Sequence, residues 1–213
     1  MSADRIKILL VDDHAVVRNG IRLMLGTADD IEVAGEAGTA QEALRLAQEQ
    51  HFDVVLVDIN LPDLSGLDLI QRLRTQKPKL AAVVLTAYPE ETYALRAFKY
   101  GAAGYLNKNS STDVIIAAVR KAAAGGKYVT PETMERFAGM ISGDKVGSHD
   151  VLSDREFEVL KRLAEGESLV RIAEQLHLSP STVTTYRARV LEKMGMKSNA
   201  ELTRYAIEHG LLG

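Results

Sequence analysis

The 213-residue chain predicts an α/β domain, a five-stranded doubly wound parallel sheet, followed by a small all-α domain of four helices. Three observations carry this prediction. Short apolar runs alternate with helical patterns five times over residues 6–125. Polar or charged side chains stand at the ends of those runs, and beyond Ser153 every periodic segment is helical. Strand–helix alternation at this spacing gives a parallel sheet with helices on both faces and right-handed crossovers.

Strands are expected near 6–11, 31–35, 54–57, 82–86 and 104–107, and helices near 15–26, 39–50, 66–76, 90–100 and 112–125. Turn signals separate them at Gly35, Gly38, Pro62, Gly66, Pro78, Pro89, Gly101 and Gly104. Gly125 and Gly126 end the last helix, TPETMERFAGMI suggests one short helix from Pro131, and the polar stretch 142–150 reads as a linker. The expected division is therefore a first domain at 1–125, a linker with one short helix at 126–150, and a second domain at 151–213.

In the second domain, SDRE at 153–156 is a capping box that opens the first helix. A helix near 168–176 follows, then a third from Ser179 as N-cap and Pro180 as first helical residue to about Met194. Asn199 is expected to cap the fourth, which stops at Gly210. On the third helix, at about 100° per residue, Val183, Val190 and Met194 share one stripe and form the core side. Ser181, Thr184, Thr185 and Ala188 fall opposite, a short polar face that suits close approach to base edges in a major groove. Arg187, Arg189 and Lys193 flank it, placed for phosphates, while Glu192 on the same side works against DNA.

Composition is that of a soluble globular chain, with 46% hydrophobic and 26% charged residues. The absence of cysteine excludes disulfides and thiolate metal sites. The run Ile6–Val11 is too short for a signal segment and nothing approaches membrane-spanning length, so a cytoplasmic protein is expected. Net charge is −3, and residues 151–213 carry nine Lys/Arg against nine Asp/Glu, so DNA contact must come from local placement of basic groups.

Six residues concentrate the chemistry: Asp12, Asp13, Asp58, Thr86, Tyr105 and Lys108 stand at or beside strand ends. In open parallel sheets such groups meet beyond the carboxyl ends of the strands. Carboxylates gathered in one crevice suit a hard cation, here Mg²⁺, held directly by Asp13, Asp58 and the backbone carbonyl of Asn60, with Asp12 acting through water. Asp58 is then the nucleophile toward phosphorus, and Lys108 and Thr86 offset charge on the transferred oxygens. Taken singly each residue has a plain explanation, a solvated strand end, a helix cap or a turn; four strand ends supplying the set together do not.

Residues 5–125 resemble the receiver domain of two-component response regulators, through LLVDDH, VVLVDINLPDLSG, VVLTA and GYLNK in order. The resemblance implies phosphorylation of Asp58 by a sensor histidine kinase and a coupling pair of Thr86 and Tyr105, whose hydroxyl and ring move inward together. It also implies that Asn60 and Tyr88 flank the path of hydrolytic water, with Tyr88 slowing self-hydrolysis. Lys108 precedes Asn109 where many receivers have proline, and Asn107 stands where close relatives often have leucine. The stretch from LSDREFEVLKRLAEGES to YAIEHGLL resembles the LuxR-type helix-turn-helix of NarL/FixJ-like regulators. Departures at residues 169–171, Thr184 and Tyr186 mean that the DNA sequence recognised does not follow from the resemblance. The implied protein is a phosphorylation-controlled transcription regulator that binds promoter DNA as a homodimer on paired half-sites, and not an enzyme beyond its own phosphoryl transfer. The competing readings are an aspartyl phosphotransferase or phosphatase, and an interaction protein indifferent to phosphate.

Overall fold

A computed structural model describes residues 5–131, 133–135 and 148–212. The chain divides into two compact units, Met1–Phe137 and Ala138–Gly213.

The first unit runs β1 (Ile6–Val11), α1 (Ala15–Leu25), β2 (Ile31–Ala37), α2 (Ala40–Glu49), β3 (Val54–Val57), α3 (Gly66–Gln76), β4 (Ala81–Thr86), α4 (Glu90–Tyr100), β5 (Gly104–Asn107) and α5 (Thr112–Ala123). The strands form one sheet in the order β2-β1-β3-β4-β5, every neighbouring pair parallel. A parallel sheet covered on both faces needs apolar residues at every position of its central strands. Accordingly VVLV of β3 is buried throughout. Ile8 and Leu10 pack with Ile21, Leu25, Ile115 and Val119 on one face, while Leu9 and Val11, turned to the other by the two-residue period, are equally buried. Strand β2 runs two residues past its expected end because the pairing slips between Ile8 and Leu9, matching Ile8 to Val33 and Leu9 to Gly35.

The expected linker at 126–150 begins inside the first unit. The Tyr128 amide donates to the Ala103 carbonyl at 2.7 Å and pairs beside Gly104, adding a parallel bridge to the outer edge of β5. Thr130 and Thr133 both donate their hydroxyls to Glu90 at the start of α4. Helical backbone is present at Pro131 and Thr133–Glu135; the remainder of the expected short helix lies outside the described residues. In the described part of this stretch the Tyr128 side chain packs against the core cluster beside these hydrogen bonds, and a lone aromatic sets no apolar period.

The described part of the second unit starts with a 3₁₀ turn (Ser148–Val151) and continues with α6 (Asp154–Ala164), α7 (Leu169–Gln175), α8 (Pro180–Met194) and α9 (Asn199–Glu208). Phe157, Leu160, Ile172, Val183, Val190 and Leu202 are fully enclosed and form its core. His149 ties the opening turn down: its Nδ1 lies 2.8 Å from the Tyr205 hydroxyl and its ring stacks on Phe157. His177, in the left-handed region at φ 53°, turns the chain between α7 and α8. Met194 is only half-buried, so the core stripe of α8 stops at Val190. The fourth helix is capped by Ser198, whose side chain accepts from the Glu201 amide, and not by Asn199, which is its first helical residue. Among the described residues no helix is long and apolar enough to cross a membrane.

Candidate functional site

The strand order reverses between β1 and β3, and a crevice opens there beyond the carboxyl ends. Backbone pairing carries each acidic or basic residue one step past its strand. The amide of Asp12 donates to Ala37 at 3.1 Å, that of Asp58 to Val11 at 2.9 Å, and that of Lys108 to Thr86 at 2.8 Å. Asp12, Asp58 and Thr86 are thereby almost wholly buried. Lys108 reaches between the two carboxylates, its Nζ 2.6 Å from Asp12 Oδ2 and 2.7 Å from Asp58 Oδ2. Asp13 stands at the rim with Oδ1 2.7 Å from His14 Nδ1. Burial pushes the Asp58 carboxyl above the usual carboxylate range; the Lys108 charge and bonds from Lys108 and Thr86 oppose the rise, and the Asp12 charge adds to it. Burial disfavours the Lys108 charge too, but Asp58 and Asp12 outweigh it and hold the ammonium above its ordinary value.

Three carboxylates face one ammonium, leaving two formal negative charges in a crevice whose Asp12 and Asp58 are almost wholly buried and whose Asp13 stands at the rim. Buried Asp13 Oδ1 and Asp58 Oδ1 lack well-aligned donors among the described residues, and ligand atoms of Asp12, Asp13, His14 and Asp58 lie within 4.8 Å of one another. Charge, oxygen chemistry and spacing all fit a hard divalent cation. The Asn60 carbonyl, expected to join them, accepts no hydrogen bond from a described residue.

Two supports of this site escaped the sequence reading. Gly66 opens α3 directly against Asp58: a Cβ there would lie 2.0 Å from the Asp58 carbonyl oxygen, so any side chain must displace the backbone. In the sequence it is a turn glycine closing VVLVDINLPDLSG, and neither signal tells of this close approach. Asp63, in the same loop, accepts from the amides of Ala40 and Gln41 at 2.9 Å each, fastening the loop to the positive end of α2. The Arg18 guanidinium meanwhile donates to the Asp12 carbonyl.

Tyr105 is buried, with its hydroxyl donating to the Tyr88 carbonyl at 3.0 Å. The Tyr88 ring, expected beside the hydrolytic path, stacks on Tyr93 at 4.8 Å.

On α8, Ser181, Thr184, Thr185, Ala188 and Arg189 are exposed together, whereas two expected phosphate ligands are already engaged. Arg187 donates through Nε to Asn199 at 2.8 Å, and Lys193 Nζ lies 2.7 Å from Glu156 Oε2, the same oxygen that closes the capping box of α6. Of the three expected phosphate ligands, Arg189 alone has no side-chain partner among the described residues. The hydroxyls are also spoken for: Thr184 donates to the Pro180 carbonyl at 2.9 Å and Thr185 to the Ser181 carbonyl at 3.1 Å.

A family model of the response regulator receiver domain matches residues 8–120, and a model of bacterial regulatory proteins of the luxR family matches residues 150–206. The chain is 35% identical over 211 residues to the response regulator GacA of Pseudomonas aeruginosa, covering 97% of this chain and 98% of that protein. It is 38% identical over 210 residues to the transcriptional regulatory protein MctR of Rhizobium johnstonii, covering 98% and 96%. The crystal structure of the response regulator ChrA, from a heme-sensing two-component system, aligns with a TM-score of 0.54 at 30% identity over 99% of this chain and 100% of that one.

Proposed function

We propose a mechanism from one premise: the chain belongs to the response regulators, with a receiver domain followed by a DNA-binding domain of the luxR family, and is a transcriptional regulator of a two-component system. The observation that carries the mechanism is the buried Asp58 carboxylate beside Lys108, with one oxygen left uncommitted.

Asp13, Asp58 and the Asn60 carbonyl would hold Mg²⁺ directly and Asp12 through water, an ion that when bound offsets the carboxylate charge facing an incoming phosphoryl group. An Asp58 oxygen forms the bond to phosphorus as the bond from phosphorus to a histidine nitrogen of a sensor kinase breaks. The departing imidazole keeps the electron pair and takes up a proton. The Lys108 ammonium and the Thr86 hydroxyl donate to the transferred oxygens. Tyr105 is coupled to this event through the backbone, since its hydroxyl is held by the carbonyl two residues after Thr86.

The output in this reading is DNA affinity. A formally neutral second domain whose presented helix face keeps one free arginine makes few phosphate contacts, so a single copy binds weakly. Phosphorylation favours a homodimer, and two joined copies on paired promoter half-sites gain effective concentration. The protein works in the cytoplasm, where kinase and promoter are both within reach.

Acyl-phosphate trapping with a small-molecule phosphodonor tests the site. Wild type should label stoichiometrically in Mg²⁺ and lose labelling on chelation, and Asp58→Asn should not label above background. Undiminished labelling of that variant would overturn the assignment. Multiple turnover would mark an enzyme, and an unlabelled wild type an interaction protein.

A further inference from the structure

The exposed face of α8 offers DNA an unusual set of groups. It has no Asn, Gln, Arg or Lys at 181, 184, 185 or 188, so the bidentate pairings that select guanine or adenine are absent from its centre. The Thr184 and Thr185 hydroxyl protons are already given to helix carbonyls one turn back. At the start of the helix Ser179 is bonded to both Ser181 and Thr182, at 2.8 and 2.7 Å. What remains outside at 181, 184, 185 and 188 is oxygen lone pairs and the methyl groups of Thr184, Thr185 and Ala188, with the Arg189 guanidinium exposed beside them.

In the major groove a guanine offers two acceptors, N7 and O6, which a face of lone pairs leaves unsatisfied. Swinging a hydroxyl outward to donate would forfeit its helix bond. An A·T pair offers the complement in one place: the adenine N6 amino group donates, and the thymine C5-methyl packs against another methyl. Cytosine supplies a donor but no methyl, and its partner is guanine. Selectivity here thus joins an attraction to A·T with an aversion to guanine.

We infer that Thr184, Thr185 and Ala188 read A·T base pairs, accepting from adenine N6 and packing on thymine methyls. This rests on the DNA-binding role proposed above and names its ligand chemistry.

The test uses the full-length protein, phosphorylated by a small-molecule donor, and selection from randomised duplexes. A·T pairs should dominate the positions facing these residues. Replacing each facing thymine by deoxyuridine, which removes only the methyl, should weaken binding by about fourfold per position. The double variant Thr184→Ser, Thr185→Ser keeps the hydroxyls, and it should abolish the effect of the replacements facing residues 184 and 185, leave the one facing Ala188 in place, and retain a preference for adenine. Selection of guanine at those positions, or deoxyuridine without effect at all of them, overturns the inference while leaving the regulator reading intact. Failure to select any duplex overturns both.

Discussion

Lys108 and Lys193 each bring an ammonium within 2.7 Å of a buried carboxylate, yet the surroundings make one a site and the other a staple. Lys108 serves Asp12 and Asp58 at once, with Asp13 alongside, and cannot neutralise all three. Among the described residues Lys193 serves Glu156 alone, and the same carboxylate oxygen also takes the Ser153 amide at 2.7 Å, so the carboxylate has both a counter-charge and a hydrogen-bond donor. A buried ion pair therefore says little until its neighbours are counted. Surplus charge calls for a ligand; balanced charge holds helices together.

The largest effect should come from removing each lysine in turn. Lys108→Met strands buried carboxylates and should lower unfolding free energy by about 3 kcal/mol, with Mg²⁺ restoring part of the loss. Lys193→Met should cost about 1 kcal/mol and ignore Mg²⁺. Denaturant titrations with and without the ion measure both, and equal costs would dissolve the comparison.

Next in size, Gly66→Ala probes whether the receiver site is as tightly fixed as its burial implies. The added methyl must displace the Asp58 backbone, at about 2 kcal/mol of overpacking. Labelling of Asp58 should slow at least about tenfold, since small misplacements of reacting atoms cost that much or more. A variant that labels at the wild-type rate would show a loop that yields freely.

The mildest prediction concerns pH in the second unit. Burial works against the Glu156 charge, but bonds from Lys193 and Ser153 prevail and hold its carboxyl below the usual range. A depressed folded value means that its stabilisation is fully present above the unfolded value near about 4.3 and is lost as pH falls through the folded value. Hydrogen exchange of α6 amides should accelerate over that interval, and Lys193→Met should flatten the dependence. An unchanged profile in the variant would show that Ser153 alone holds the carboxylate.

Most of the fold was legible because strand ends announce themselves: β3, β5, α3, α4 and α8 begin and end where periodicity and turn residues put them. Asp12, Asp13, Asp58, Thr86 and Lys108 were legible for the same reason, being chemically conspicuous groups placed where a parallel sheet converges. The engagement of Arg187 and Lys193 was not, because their partners lie 12 and 37 positions away and nothing local separates a committed cation from a free one. Ser198 was a missed local signal. It stands three residues before Glu201, the spacing of a capping box, whereas Asn199 does not. Tyr128 left no trace because one aromatic packed against the core and one backbone bridge make no periodic pattern.

That bridge bears on how the protein behaves when crowded. β5 is a rim strand, and an unpaired rim is a template on which another chain can lay its own backbone. β5 is four residues long, and Tyr128 already occupies the position beside Gly104. Only a short remnant is left to recruit a stranger. The stretch that leads out of the receiver thus doubles as a guard against strand-by-strand association.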